Sequence, residues 1–208
     1  MRVPLVNVIK EHRGTLVLAT IGGICTFVVF YLMTVFALSW GTTELGYSRQ
    51  EFLILQMVGV LFFAGMIPVA AIGADRWGRM PMMAIATLCI TLFGLVYGPL
   101  FSAGNPTSVF VLLALGLTCT GLTYGPIGTA LAEIFPTALR YTGASLAFNF
   151  AGILGGSFAP YIATWLADAY GINAVGYYLS AAGVVSLVAI YVIAQRQKRN
   201  AVGTLDRA

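Results

Sequence analysis

One short stretch concentrates charge in a sequence that otherwise holds little of it. Asp75 supplies a carboxylate there, and Arg76 and Arg79 supply two guanidiniums within the next four positions. Such groups form charge-assisted hydrogen bonds that can hold or release a neighbouring segment. Gly73 and Gly78 permit backbone conformations that other residues avoid. Because long apolar runs flank this stretch, we predict a short charged turn at a membrane surface.

A second polar segment lies about 55 residues further on. Pro136 lacks an N–H group and is predicted to end the preceding helix. Glu133 then lies in the last turn of that helix, where the helix dipole disfavours a carboxylate. We therefore predict an ion-pair cluster that joins Glu133 to the other turn. Its candidate cations are Arg76, Arg79 and Arg140; the alternative is a set of solvated charges that contribute little.

The composition places these turns in a membrane protein. Hydrophobic residues make up 59% of the 208 residues and charged residues only 9%. A soluble domain carries about 25% charged residues, so this chain cannot cover a water-facing surface. The basic residues are scattered among the turns without an aromatic-interleaved stripe, which excludes a nucleic-acid-binding protein.

Few residues could bind a metal or perform catalysis. Cys25, Cys89 and Cys119 lie within apolar runs without ligand-like spacing, which favours free thiols buried as small hydrophobes. His12 is the only histidine. The sequence contains no nucleotide-binding G-x-x-x-x-G-K-[ST] loop and no set of nucleophile, base and metal ligand. We expect no metal, no cofactor and no enzyme activity.

Six apolar runs are each long enough to cross a bilayer, which requires about 20 helical residues. They do not alternate apolar and polar residues as barrel strands do, so the predicted fold class is an all-α transmembrane six-helix bundle. Three is an odd number, so two successive three-helix repeats would be inverted relative to each other. Residues 1–14 are a predicted lead-in and 195–208 a tail. The predicted spans are 15–38, 52–74, 80–101, 108–132, 143–166 and 174–194.

The basic residues predict the orientation of these spans. Both termini and the turns after the second and fourth spans lie on one side. That side holds every Lys and Arg except Arg49, ten of the eleven. Because basic residues accumulate in cytoplasmic loops, both termini and both polar turns are predicted to be cytoplasmic.

The motif Asp75-Arg76-x-Gly78-Arg79 between two spans resembles the cytoplasmic signature of the major facilitator superfamily, G-x-x-x-D-R-x-G-R-[KR]. The segment that begins at Glu133, Glu-x-Phe-Pro-Thr-x-x-Arg-Tyr-Thr-Gly, is similar to the loop between helices ten and eleven of that family. The sequence of this segment is most similar to that of the metabolite:proton symporter branch. That branch includes carriers of shikimate, α-ketoglutarate and proline/betaine.

The resemblance covers about residues 5–195 and matches the C-terminal six-helix half of a twelve-helix fold. Ala71 replaces the first glycine of the signature and Met80 its final basic residue, as is common in the second copy of this motif. The family's transport path lies between two halves. The resemblance therefore implies an N-terminal six-helix half as partner, from the same gene or a second copy.

The resemblance also implies a role for the charged turn. Asp75 would cap a helix of the partner half, since a carboxylate is favoured at a helix N-terminus. Arg76 and Arg79 would bind Glu133. Together these contacts would form a latch that breaks when the carrier opens to the cytoplasm.

In this family the first, second, fourth and fifth helices of each half line the cavity. Polar side chains within a membrane are costly and tend to face a cavity or a partner helix; for each one here, hydrogen bonding inside the packed bundle remains the alternative. No mid-span residue is charged, so a titratable group for proton coupling is expected in the other half. The candidate substrate-path residues are Tyr31, Thr34, Gln56, Tyr124, Ser145 and Asn149.

The resemblance implies a secondary active transporter in a bacterial inner membrane. Its expected cargo is a small organic acid or zwitterionic metabolite, carried with a proton by alternating access. The alternatives are a non-transporting membrane scaffold, a truncated remnant, or a half-transporter that works only as a homodimer.

Overall fold

The computed structural model of the chain describes residues 4–102 and 105–205, and most of them are helical. Within these described residues, six helices are long and apolar enough to cross a membrane, and we number them spans one to six. A short amphipathic helix, Pro4–Glu11, precedes them. The predicted all-α, six-span architecture is confirmed. The spans are Arg13–Thr43, Arg49–Trp77, Arg79–Phe101, Pro106–Glu133, Thr137–Tyr170 and Ile172–Arg199.

Each span is longer than the apolar run that predicted it. In span six the helix Ile172–Leu205 continues well past residue 194, through most of the segment predicted as a tail. In span one, helical structure extends to Thr43 where an end at residue 38 was predicted. The apolar pattern ends at the edge of the hydrocarbon region, but the headgroup regions add about 10 to 15 Å of bilayer that a helix can still cross.

Local sequence explains where several spans begin and end. At the start of span two, Ser48 Oγ accepts a hydrogen bond from the Glu51 N–H (3.2 Å), and the Ser48 N–H donates back to Glu51 Oε2 (2.9 Å). This reciprocal pair is a capping box. Span four begins after Asn105, whose Oδ1 accepts from the Ser108 N–H at 2.8 Å. Gly171, between spans five and six, has φ of 83°, which favours glycine.

The packing of the six spans has an internal symmetry. Spans two and four pack along their lengths, and so do spans one and five. Spans three and six pack on each other. In addition, span three packs on span four, and span one packs on span six. Exchanging spans one to three with four to six maps each of these pairs onto another or onto itself. This is the arrangement expected of two inverted three-helix repeats.

Buried apolar side chains form two main clusters along the bundle. The larger one includes Phe36, Phe52 and Tyr97 and lies toward the end of the bundle where span two begins. The other includes Leu16 and Phe135 and lies toward the end that carries the charged turn. The bundle is therefore packed through both halves of its thickness.

Spans three and six approach each other closely through small residues. A Cβ atom on Gly94 would lie 2.6 Å from the carbonyl oxygen of Gly176 and 2.8 Å from the Ser180 nitrogen. Ser180 Oγ donates a hydrogen bond to the Thr91 carbonyl oxygen at 2.8 Å. Small residues of this kind let transmembrane helices come into backbone contact.

Two spans contain a π-helical turn. In span one it covers Leu32–Phe36, and in span five it covers Ile153–Ser157, which Phe158 and Ala159 separate from Pro160. The span-five turn packs against span one, where a Cβ on Gly155 would lie 2.6 Å from the Ile24 carbonyl oxygen. Such turns interrupt the regular hydrogen-bond ladder and often occur at functional sites.

Candidate functional site

The charged turn is held by a single glycine conformation. Span two ends at Trp77, and Gly78 follows with φ of 96°. The Gly78 N–H donates to the Ala74 carbonyl oxygen at 2.9 Å, which closes the last turn of the helix. Span three then begins at Arg79. Because this φ is strained for any residue with a Cβ, Gly78 is what permits a one-residue connection between two spans.

Side chains in this turn differ in exposure. Gly73 is buried, and a Cβ there would lie 3.1 Å from the sulfur of Met82. Asp75 and Arg76 are exposed. An exposed carboxylate beside an exposed guanidinium is available to a partner surface, whereas Gly73 serves the packing of spans two and three.

Arg79 and Glu133 form an ion pair that joins the two polar turns. Arg79 is the first residue of span three and Glu133 the last of span four. A cation at a helix N-terminus and a carboxylate at a C-terminus are each disfavoured by the helix dipole, so each charge offsets the other's unfavourable position. The side chains are 35% and 40% exposed, respectively. Within the described residues, Arg76 and Arg140 make no ion pair with Glu133, so only Arg79 of the three candidate cations pairs with it.

The segment after Glu133 is fixed by a buried aromatic ring. Phe135 is 2% exposed, and a Cβ on Gly143 would lie 2.5 Å from its ring. Arg140 Nε donates to the Phe135 carbonyl oxygen at 3.4 Å. Pro136 is extended, with ψ of 148°, and begins the 3₁₀ turn Thr137–Leu139 that leads into span five. Sequence reasoning selected Pro136 and Arg140 but not Phe135.

Six aromatic rings form a continuous chain across spans one, two, four and five. Neighbouring ring centroids are 4.9 to 6.3 Å apart, and most pairs meet edge to face, an arrangement that aromatic pairs favour. Tyr31 and Tyr124 are in this chain, and the four phenylalanines were not predicted. In order of contact the rings are Tyr31, Phe30, Phe63, Tyr124, Phe148 and Phe27.

A groove of about 230 Å³ lies between spans one and five, where both ends of this chain of rings come together. Tyr31 and Asn149 both line it, beside Phe27, Phe148 and Ser157. Two of its lining residues, Ile153 and Ser157, belong to the π-helical turn of span five. The groove therefore combines aromatic surface with a phenol, a hydroxyl and an amide, the mixture typical of small-molecule sites.

Asn149 is exposed and its amide nitrogen donates to the Ser145 carbonyl oxygen at 2.8 Å. Its amide oxygen accepts no hydrogen bond from the described residues, so that oxygen can accept one from a ligand. Ser145, one turn earlier, is also exposed. The two residues share one helix face, as their spacing predicted.

Gln56 and Thr34 have a different role from the other candidates. Gln56 is 8% exposed, and its Nε2 donates to the carbonyl oxygens of Met33 (2.7 Å) and Thr34 (3.0 Å). Thr34 Oγ1 donates to the Phe30 carbonyl oxygen at 2.7 Å. Gln56 thus satisfies carbonyls inside the π-helical turn of span one. For Gln56 and Thr34 the structure shows hydrogen bonding within the bundle.

The chain is similar in sequence to known proteins. A family model described as the Major Facilitator Superfamily matches residues 22–206. The chain is 45% identical to the inner membrane metabolite transport protein YhjE of Escherichia coli over 195 residues, covering 91% of this chain and 44% of that protein. It is 26% identical to the shikimate transporter of Escherichia coli, covering 95% and 46%. It is 32% identical to the citrate-proton symporter of Klebsiella pneumoniae, covering 79% and 37%. The chain thus spans less than half the length of each of these relatives.

Proposed function

The chain belongs to the Major Facilitator Superfamily, and from that premise we propose that it supplies one half of a carrier for a small organic metabolite. The observation that carries this proposal is the wall formed by spans one, two, four and five. Four spans contribute aromatic rings to one chain, and a polar groove lies beside it. The other half of the carrier would close this wall into a cavity.

The proposed cargo is a small organic acid or zwitterion, moved with a proton by alternating access. The names of the relatives, which include a shikimate transporter and a citrate-proton symporter, support this class. Tyr31, Tyr124, Ser145 and Asn149 would contact the uncharged part of the cargo. Because no charged residue lies mid-span in this chain, we assign charge neutralisation and proton transfer to the other half.

We propose that the two polar turns act as the cytoplasmic latch of this carrier. The ion pair between Arg79 and Glu133 would hold spans three and four together. Asp75 and Arg76, which are exposed, would meet the partner half and release it during inward opening. This proposal requires both termini to lie in the cytoplasm and the chain to lie in a bacterial inner membrane, the location named for the relative YhjE.

Uptake into membrane vesicles that contain the full-length gene product tests the carrier proposal. The probes are radiolabelled shikimate, citrate and proline. We expect Asn149→Ala to raise the KM for the transported probe about tenfold, the loss of roughly one hydrogen bond to a charged or polar ligand, with unchanged protein abundance. Thr164→Ala is the matched control, since Thr164 is exposed in the same span but outside the groove.

Three outcomes distinguish a carrier from a scaffold. Uptake that depends on Asn149 but not on Thr164 supports the carrier. Uptake that is unaffected by Asn149→Ala, Tyr31→Phe and Tyr124→Phe contradicts this location of the path. Failure of all three probes to accumulate, with normal protein abundance, favours a scaffold.

The latch is tested by labelling of cysteines introduced at the cytoplasmic face. Asp75→Asn should increase their labelling, because the contact with the partner half is weakened. Asp168→Asn is the matched control, since Asp168 is also exposed but lies near the other end of the bundle. Labelling that Asp75→Asn leaves unchanged would reject the latch role.

A further inference from the structure

A groove of about 520 Å³ lies between spans three and six, on elements that do not contribute to the aromatic chain. Met80, Pro81 and Ala84 of span three face Leu187, Ile190 and Ala194 of span six across it. These six side chains are apolar. The volume lies within the range of ligand pockets, so the groove is large enough for part of a long apolar molecule.

The groove opens on the lipid-facing side of the bundle. On span three its edge continues as an exposed apolar stripe through Ile85, Leu88 and Leu92. On span six it continues through Val184 and Val188, which are also exposed. A contiguous apolar surface on a membrane-spanning helix faces hydrocarbon, so lipid tails reach this groove directly.

One end of the groove is polar and basic. Lys198 lines that end and is exposed, next to Gln197. Tyr191 lines the groove two turns earlier, which places it about 10 Å closer to the membrane centre. Its hydroxyl accepts a hydrogen bond from Gln195 at 3.0 Å and retains its own proton to donate. None of the residues that line the groove is acidic.

From this arrangement we infer that the groove between spans three and six binds an anionic phospholipid of the bilayer. One acyl chain lies between Ala84 and Leu187, and the headgroup phosphate is bound by Lys198. The Tyr191 hydroxyl lies at the depth of the ester groups and donates to an ester carbonyl. Basic pockets between transmembrane helices at a membrane face recognise anionic headgroups in this way.

The apolar slot and the basic end of the groove together indicate which molecule occupies it. A soluble anion would bind Lys198 but would leave the apolar slot empty. A zwitterionic lipid would fill the slot, but its own cation would lie beside the Lys198 ammonium. An anionic phospholipid satisfies both ends, and it is a normal component of the membrane in which this chain lies.

Native mass spectrometry of the full-length gene product in detergent tests this site, with phosphatidylglycerol and phosphatidylcholine of identical acyl chains as probes. We expect the unmodified protein to retain phosphatidylglycerol in preference to phosphatidylcholine. Lys198→Ala should weaken phosphatidylglycerol binding about fivefold, the contribution of one basic residue near an anionic membrane surface. Arg199→Ala is the matched control, since it removes the same charge from the next position without altering the lining of the groove.

A second variant tests the apolar part of the site. Ala84→Leu places a larger side chain in the slot and should weaken binding of both lipids about tenfold, as expected for the loss of contact with about two methylene groups. Equal effects of Lys198→Ala and Arg199→Ala would overturn the assignment, as would equal retention of the two lipids. Displacement of phosphatidylglycerol by millimolar inorganic phosphate would also overturn it, because it would show simple anion binding at Lys198. The melting temperature of each variant, measured without added lipid, separates loss of binding from loss of folding.

Discussion

Two interfaces in this bundle use glycine to bring helices into contact, yet they differ in what the contact produces. Between spans three and six, Gly94 and Gly176 meet backbone to backbone, and Ser180 adds a hydrogen bond to the opposite main chain. Between spans one and five, Gly155 also meets backbone, but Gly156 meets the ring of Tyr31. Span five is π-helical there, and a polar groove remains open beside it.

The difference shows that a glycine at a helix–helix contact can have two structural results. Where Gly94 meets Gly176, both partners are regular helices, and their backbones leave no space for a Cβ between them. Where an aromatic side chain and a π-helical turn enter the interface, a Cβ on Gly155 would still meet the Ile24 carbonyl oxygen, but a Cβ on Gly156 would meet the Tyr31 ring. Close packing at Gly155 thus leaves a groove open beside Tyr31, and substitutions at the two interfaces test this contrast.

The largest effect is expected at the interface between spans three and six. Gly94→Ala would place a Cβ 2.6 Å from the Gly176 carbonyl oxygen, and backbone cannot move aside locally. We expect a loss of about 3 kcal/mol in stability, the upper range for overpacking, seen as a lower melting temperature in size-exclusion chromatography of the heated protein. Gly65→Ala is the control, since nothing lies within 4 Å of its added Cβ. Equal melting temperatures for the two variants would contradict the interpretation that Gly94 and Gly176 are in backbone contact.

The next effect concerns the π-helical turn of span one. Gln56→Leu removes the side-chain hydrogen bonds to the buried Met33 carbonyl oxygen and to the part-buried Thr34 carbonyl oxygen. We expect a loss of about 2 kcal/mol of stability from an unsatisfied buried group, together with reduced uptake because Tyr31 adjoins this turn. Gln50→Leu is the control, since Gln50 is exposed in the same span. Reduced uptake with full stability would instead indicate that Gln56 contacts the cargo.

A smaller effect on folding, with a clear effect on function, is expected at Gly156. Its added Cβ would lie 2.6 Å from the Tyr31 ring, and an aromatic side chain can rotate away. We expect Gly156→Ala to change stability by less than about 1 kcal/mol, since flexible neighbours relax, and to raise the KM for the transported metabolite. Gly155→Ala should instead lower protein abundance and leave the KM nearly unchanged, because its Cβ meets the Ile24 carbonyl oxygen. Identical phenotypes for the two variants would remove the distinction between packing and groove residues.

The smallest effect is expected at the ion pair outside the membrane core. Arg79 and Glu133 are 35% and 40% exposed, so the pair should contribute about 0.5 kcal/mol. A double-mutant cycle with Arg79→Glu and Glu133→Arg measures this coupling through the melting temperatures of the singles and the double. The same cycle with Arg76→Glu in place of Arg79→Glu is the control and should show no coupling. Coupling of equal size in both cycles would indicate that Arg76 also pairs with Glu133.

Much of the architecture could be predicted because its cause is local in sequence. The scarcity of charge indicates a membrane protein, and the lengths of the apolar runs give six spans. The turn at Gly78 could also be predicted, because a helix that ends abruptly before another helix favours a glycine at positive φ. Asn149 and Tyr31 were selected because polar side chains are costly within lipid, and the structure does bring them to one groove.

The same reasoning could not separate groove residues from packing residues. Gln56 and Asn149 look alike in sequence, since both are amides within an apolar span. One is buried against span one and bonds its backbone, whereas the other is exposed on span five. The chain of aromatic rings was missed because Phe63, Tyr124 and Phe148 are far apart in sequence and phenylalanine is ordinary in a membrane span.

Composition, run length and turn residues thus determined the membrane class, the number of spans and the positions of both polar turns, because each depends on the transfer of nearby groups between water and lipid. Helix packing decided which arginine binds Glu133, which amide faces the groove, and where the π-helical turns place Tyr31. Those outcomes depend on the direction of side chains from separate helices. A direction of that kind exists only after the helices have packed, since lipid favours every apolar face equally and provides no orientation of its own.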